Sequence, residues 1–321
     1  MRFSILGFGC GAVGGLMVRG DPADQERTVA RALEAGVNYF DTAVQYGNGA
    51  SEQNLGRVLK ALKPANAVVG TKVRLKPEEF GRIGAAVAAS LEGSLGRLGL
   101  ERVDIFHLHN SIGDDGPGAL TERQVVDEVV PAFDKLRREG KLRFPGLTAI
   151  GDTAALHRVI DAGVFASAQV SYNMLNPSAG APPPANYPAQ DYGRLLDHTT
   201  AAGTGTICIR VLAGGALSGS PERHPIASPP PEPIGSASSY DADLARARRL
   251  MPLVQEGFAA NLTEAATRFA ISHPGIGTIL VGIATPQQFD TALAAVAKGP
   301  LPQAALDRLA ALQRGFAGEA R

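Results

Sequence analysis

Tryptophan is absent from the sequence, cysteine occurs twice, and no apolar run approaches the roughly 20 residues of a membrane-spanning helix. Cys10 and Cys208 each sit inside an apolar stretch, which excludes a disulfide framework and a zinc ligand set. No metal site is therefore expected, and so sparing a use of cysteine fits a reducing compartment. A surplus of either charge is missing too, with 31 Lys and Arg against 31 Asp and Glu. Nucleic acids and anionic membrane surfaces are ordinarily met by an excess of basic residues, so neither is an expected partner. Arg2 and the Gly-rich stretch after it are too short and too broken for a secretory leader, and a cytoplasmic location is expected. A small, neutral or mildly polar ligand fits this balance. No feature of the sequence sets an oligomeric state.

Glycine, by contrast, is plentiful. Residues 5–15 (ILGFGCGAVGG) contain a literal G-x-G-x-x-G at Gly9, Gly11 and Gly14. A dinucleotide fingerprint needs its helix to open on those glycines, so that the pyrophosphate meets the helix N-terminus. The next helix instead has its own start, with Asp21 as N-cap and Pro22 in the first position, and runs over 23–35 to Gly36. Asp41, the acid closing the following strand, also lies beyond the spacing of about 20 residues that the fingerprint calls for. A Rossmann domain is not expected.

From there the chain alternates. Strand-like stretches fall at 5–9, 38–40, 68–71, 104–108, 146–150, 166–170, 205–209 and 278–281. Helical periodicity falls at 51–62 with Ser51 at its start, 77–98 stopped by Gly99, 121–139 closed by Gly140, 153–162, 190–202, 241–256, 262–272, 286–297 and 303–314. Asn261 and Glu264 read as a capping box. Eight strands, nearly all followed by a helix, predict a single-domain α/β fold over 1–321, a (β/α)8 TIM barrel with one extra helix before the last strand and another after it. Residues 177–188 and 221–233, after the sixth and seventh strands, hold half of the 22 prolines. They read as stiff loops that shape a pocket on the C-terminal face, or else as disordered surface loops.

Four polar residues follow neighbouring strands of that barrel. Asp41 and Tyr46 lie in VNYFDTAVQYG (37–47), Lys72 ends AVVGTK, and His109 ends VDIFHLH. Singly, each reads as an ordinary strand end. Jointly they surround one oxygen atom: a lysine ammonium beside a phenol favours the phenolate and lowers its pKa, a carboxylate keeps the ammonium charged, and a histidine can donate a hydrogen bond to a substrate oxygen. His107 is expected on the opposite side of its strand, in a structural role. The set suits proton transfer to a carbonyl oxygen while a hydride reaches the carbon, or the reverse, and the hydride requires a cofactor.

These residues resemble those of the aldo-keto reductases, and the likeness runs from end to end: YFDTAVQYG followed by SEQNLG, VGTKV, DIFHLH, GKLR, AQVSYN and LAGGALSG. The resemblance implies Tyr46 as general acid/base, Lys72 and Asp41 as the groups that tune it, His109 as the residue orienting a small carbonyl or alcohol substrate, and NADP(H) or NAD(H) as the cofactor. It also implies a cofactor site in which Gln169 holds the carboxamide, Leu212, Gly214 and Leu217 line the pyrophosphate loop, and Gly11 takes part. Three positions depart from the family. Thr148-Ala149 stands where Ser-Asn is common, so Thr148 takes part of the carboxamide contact. Arg210 falls near the usual aromatic ring and would stack or meet a phosphate. Gly282–Gln288 (GIATPQQ), at the adenosine end, lacks the Arg or Lys that meets a 2′-phosphate, which keeps NAD open beside NADP.

A slow cofactor-holding regulatory subunit of the same fold is the alternative in another class. A lyase using Lys72 as a Schiff base is a third, opposed by Asp41, which would keep that amine charged. The pocket would be formed by Val13 and its neighbours, the loop after Asn110 and the proline-rich loops. With few aromatic residues to wall it, a small or polar substrate is expected.

Overall fold

A strand of three to seven residues cannot bury a face by itself, so the order in which the strands pair decides the architecture. The computed structural model describes residues 2–113 and 116–319; residues 114 and 115 of the loop after Asn110, with 1, 320 and 321, lie outside the described residues. Strands β1 (Leu6–Gly9), β2 (Tyr39–Asp41), β3 (Val68–Val73), β4 (Val103–Leu108), β5 (Leu142–Thr148), β6 (Ser167–Ser171), β7 (Gly205–Ile209) and β8 (Thr278–Gly282) pair in parallel and in chain order, and β8 returns to β1. The ring with helices between its strands is the expected (β/α)8 barrel. No helix among the described residues is long and apolar enough to cross a membrane.

Alternation along the strands sorts two layers. Tyr39, Val68, Ile105, Ile207 and Leu280 come from five strands yet form one small cluster, which only the inside of the ring permits. Phe106, one residue past Ile105, packs on Phe133 between the ring and the helices. His107 shares the face of Ile105, because side chains two apart on a strand point the same way. It lies fully buried with Lys72 as its register partner. The expectation that it faces away from His109 is thereby corrected.

The helices begin largely where their caps say. Asp21 accepts from the amide of Ala23 at 2.8 Å and opens Pro22–Glu34, and Asn261 accepts from the amide of Glu264 at 2.9 Å to open Leu262–Ala270. The reciprocal half of the Asn261 box is displaced by one residue: the Glu264 carboxylate accepts from the amide of Ala260 at 3.4 Å, and from Arg268 and Lys298. Ser51 is not a cap either. The helix Ala50–Leu62 starts behind Gly49, and the Ser51 hydroxyl bonds the Cys10 carbonyl at 2.9 Å and meets Thr42.

Long helical stretches are interrupted, two of them beside a proline. Pro252 divides the stretch 241–256 into Tyr240–Arg248 and Pro252–Gln255. The stretch 77–98 becomes a 3-10 turn, Pro77–Arg82, followed by the helix Ile83–Leu98. Ahead of Pro131 the helix widens into a π-turn at Val125–Val129.

Both proline-rich loops are tied down. In the first, Asn176 Nδ2 and Ser178 Oγ donate to the Gln190 carbonyl at 2.9 and 3.0 Å, which shortens the helix expected over 190–202 to Leu195–Ala201. In the second, Arg223 donates to the carbonyls of Gly214 (2.7 Å) and Ser228 (2.9 Å). Arg19 donates to Ile226 (2.6 Å) and Ala12 (2.7 Å), so this loop is strapped onto the segment after β1.

Candidate active site

Lys72 is the hub of the site. Its ammonium, with three protons to give, meets three acceptors: Asp41 Oδ1 at 2.5 Å, the Thr42 carbonyl at 2.8 Å and Tyr46 Oη at 3.1 Å. The side chain is fully buried. Burial opposes its charge, but Asp41 and Tyr46 outweigh that and leave its pKa above the ordinary lysine value. The phenol behaves otherwise than expected. Burial pushes the Tyr46 pKa up, Lys72 only partly offsets it, and the net direction is upward. Tyr46 is therefore a protonated phenol at neutral pH whose oxygen already accepts from Lys72, so its own hydrogen is directed elsewhere.

Asp41 is saturated in turn. Oδ2 accepts from Tyr39 Oη at 3.0 Å and from Gln169 Nε2 at 2.5 Å, in addition to the Lys72 bond on Oδ1. Gln169 Oε1 accepts from Thr148 Oγ1 at 3.2 Å, and Thr148 Oγ1 lies 2.8 Å from His109 Nδ1. The pairing of Thr148 with Gln169 across β5 and β6 puts both on one level of the ring. Burial, then Lys72 and Arg74, lower the His109 pKa to about 3. Asp41, Tyr46 and Lys72 thus touch directly, and His109 joins them through Thr148 and Gln169.

The remaining positions read from the sequence trace an arc of the rim. Gly11 leaves open space beside Tyr46, where an added Cβ would meet only the phenol ring, at 3.8 Å. Arg210, held at φ +61°, follows β7 and donates through Nη2 to the Glu232 carbonyl at 3.0 Å. Its Nε and Nη1 have no hydrogen-bond partner among the described residues. Leu212 leads into a turn, Ala213–Ser218, which buries Leu217. Gly214 sits in that turn at φ +69°, and a Cβ there would lie 2.6 Å from Pro231. Gly282 ends β8, and Gln288 Oε1 accepts from the amide of Ala284 at 2.8 Å, spending its side chain on its own loop.

Two contributors escaped the sequence. Tyr39 reads there as one more apolar strand residue, although its spacing of two from Asp41 already placed both on one face. Glu52, within SEQNLG, is fully buried, accepting from Thr71 Oγ1 at 2.5 Å and from Arg97 Nε at 2.6 Å. It braces the residue next to Lys72. An acid in the first turn of an amphipathic helix was its only signal.

Known proteins resemble this chain in sequence and in fold. The sequence model of the Aldo/keto reductase family matches residues 5–314. An L-galactose dehydrogenase of Arabidopsis thaliana is 31% identical over 303 residues, covering 92% of this chain and 85% of the relative. The chain is also similar in fold to an aldo-keto reductase of Bacillus halodurans (TM-score 0.70, 23% identity, 97% and 93% of the two chains) and to a glycerol dehydrogenase of Gluconobacter oxydans (TM-score 0.71, 22% identity, 99% and 94%).

Proposed function

The chain belongs to the aldo/keto reductase family, and from that premise we propose that it interconverts a small carbonyl compound and its alcohol with NAD(P)H, Tyr46 serving as the general acid and, in reverse, as the base. Membership alone makes it an oxidoreductase of the carbonyl/alcohol kind. The one observation that carries the finer reading is the triple contact of Lys72 Nζ with Asp41, Thr42 and Tyr46. It fixes the phenol's orientation and leaves its proton for a substrate oxygen. Lys72 stabilises the negative charge that Tyr46 acquires once that proton has gone, and Asp41, anchored by Tyr39 and Gln169, holds Lys72 in place.

The residues fit a nicotinamide dinucleotide, whose chemical contribution is the hydride. Gly11 leaves room beside Tyr46 for a flat ring, and Arg210 has free N–H groups on the rim for an anionic diphosphate. Leu212, Gly214 and Leu217 would line that stretch, Gly282 and Gln288 the adenosine end, and Thr148 with Gln169 the carboxamide. No Lys or Arg occurs within Gly282–Gln288, so nothing in that segment favours NADPH over NADH. The relative named for L-galactose supports sugar-like substrates.

The test is titration with NADH and NADPH by fluorescence quenching, followed by absorbance loss on a panel of sugars, small aldehydes and ketones. Turnover is expected to fall by about 10²–10⁴ in Tyr46→Phe with cofactor binding retained. Undiminished turnover in that variant would remove Tyr46 as the acid, and binding without turnover in the wild type would favour a regulatory subunit.

A further inference from the structure

Side chains alternate along β3, and the alternation continues past its last residue. Val69, Val73 and Leu75 belong to the core between ring and helices, and Thr71 bonds Glu52 of the helix Ala50–Leu62, whereas Val68 and Lys72 lie inside the ring. Arg74 therefore stands on the side of Lys72. The pairing with β4 continues equally far. Lys72 is opposite His107 and Val73 opposite Leu108, and the His109 amide donates to the Val73 carbonyl at 2.8 Å, so the next pair in step is Arg74 with His109. Two residues of strand rise place Arg74 roughly 6–7 Å beyond Lys72, at the open end of the barrel. It is exposed there, and among the described residues no hydrogen bond or ion pair holds its guanidinium. Lys72, by contrast, is matched by Asp41. The 31 basic and 31 acidic residues balance over the whole chain, yet its mouth carries a cation to spare, and both charges that bear on the His109 ring, Lys72 and Arg74, are positive.

We infer that Arg74 binds the carboxylate or phosphate of an anionic carbonyl substrate, so that the site selects short aldehydes and ketones carrying an oxyanion a few carbons from the reacting carbon. This rests on the proposed role of Tyr46 as proton donor to the reacting oxygen. A planar guanidinium presents two parallel N–H groups, which match paired oxygens of either anion, and the contact is charge-assisted. The step from Lys72 to Arg74 sets the reach: a short carbon chain spans it, with the carbonyl oxygen at Tyr46 and the anion at the rim. A neutral substrate of the same length leaves the guanidinium to water. The anion takes no part in the bond changes. The carbonyl carbon gains the hydride, its oxygen gains the Tyr46 proton, and the phenolate recovers a proton from water. Arg74 thus sets specificity and leaves the proton chemistry to Tyr46, Lys72 and Asp41.

Matched substrates test it. Succinic semialdehyde and butanal have equal carbon chains and differ by a carboxylate in place of a methyl group, and glyceraldehyde 3-phosphate differs from glyceraldehyde by its phosphate. The wild type is expected to prefer the charged member of at least one pair by about tenfold or more in kcat/KM. The difference should lie chiefly in KM, because the contact is the same in ground and transition states. The pair that shows it identifies the anion. Arg74→Gln is expected to bring that ratio close to one, Arg74→Glu to invert it, and Arg74→Lys to retain part of it, with the charge kept and the fork lost. A ratio taken within one variant cancels any change in cofactor affinity, and an unchanged melting temperature in each variant excludes a folding defect at this exposed position. No preference for the charged member of either pair, or a preference that survives Arg74→Gln, overturns the inference and leaves the oxidoreductase reading standing. Failure of all four aldehydes with NADH and with NADPH overturns the two together.

Discussion

Tyr39 Oη donates to Asp41 Oδ2 at 3.0 Å from two residues away on the same face of β2. With Lys72 and Gln169 it completes three donors around one buried carboxylate, and the phenol in turn is held protonated by burial and by Asp41. Tyr39→Phe preserves the ring and removes only that donor. A loss of about 1–3 kcal/mol of stability is expected in urea unfolding, because a charged acceptor is left short of a partner.

Lys72→Met strands the Asp41 carboxylate in a site where both side chains are nearly inaccessible to water. Breaking such a pair costs about 3–5 kcal/mol. The double variant Lys72→Met with Asp41→Asn should recover part of that stability without recovering turnover. Equal stability of the single and double variants would show that the carboxylate is not charged when unpaired.

In the proposed mechanism carbonyl reduction needs Tyr46 protonated, and its pKa lies above the ordinary value of 10.0. The pH profile of kcat/KM for reduction should therefore be flat through neutrality and decline only above pH 10. Alcohol oxidation should rise with pH over the same range. A decline in reduction near pH 7 would assign the proton to another group.

His107, buried, and His109, half-buried, are held neutral, with pKa values below the ordinary 6.5, about 3 for His109. Below pH 6.5 the unfolded chain binds protons that the folded chain refuses, so stability falls as pH drops from 6.5 towards 3. Each histidine contributes up to about 1.4 kcal/mol per pH unit. His109→Gln should flatten the acid limb of stability measured by chemical unfolding at stepped pH.

Gly14 and Gly96 should respond oppositely to Ala. A Cβ on Gly14 would lie 2.2 Å from the Ile283 amide nitrogen, so Gly14→Ala should lower the melting temperature and disturb the rim beside Gly282. Gly96 lies exposed within Ile83–Leu98, where a Cβ meets nothing within 4 Å. Gly96→Ala should add about 0.5–1 kcal/mol and leave activity unchanged.

Local chemistry explains what could be read from the residues. The eight strands were legible because each is an apolar run between strong helix signals such as Asp21-Pro22 and Gly99, the latter closing its helix at φ +65°. Asp41, Tyr46 and Lys72 were legible because polar groups at strand ends contrast with the runs before them. Arg19 with Ile226 and Arg223 with Gly214 were not, since side chains reaching main-chain carbonyls leave no pattern in the residues they reach. Tyr46 was misjudged in the sign of its pKa shift because depth of burial belongs to the folded ring. His107 was misplaced by an error over strand period.

The ring is completed by β8 on β1, with Leu6 opposite Ile279 and Gly9 opposite Gly282. A ribosome delivering this chain from its N-terminus releases the closing strand, Thr278–Gly282, last of the eight, long after β7. Until then β1 and β7 each offer a bare hydrogen-bonding margin to any neighbouring nascent chain. Yield in a cell should accordingly depend on chaperone capacity and growth temperature more steeply than the stability of the finished protein would suggest.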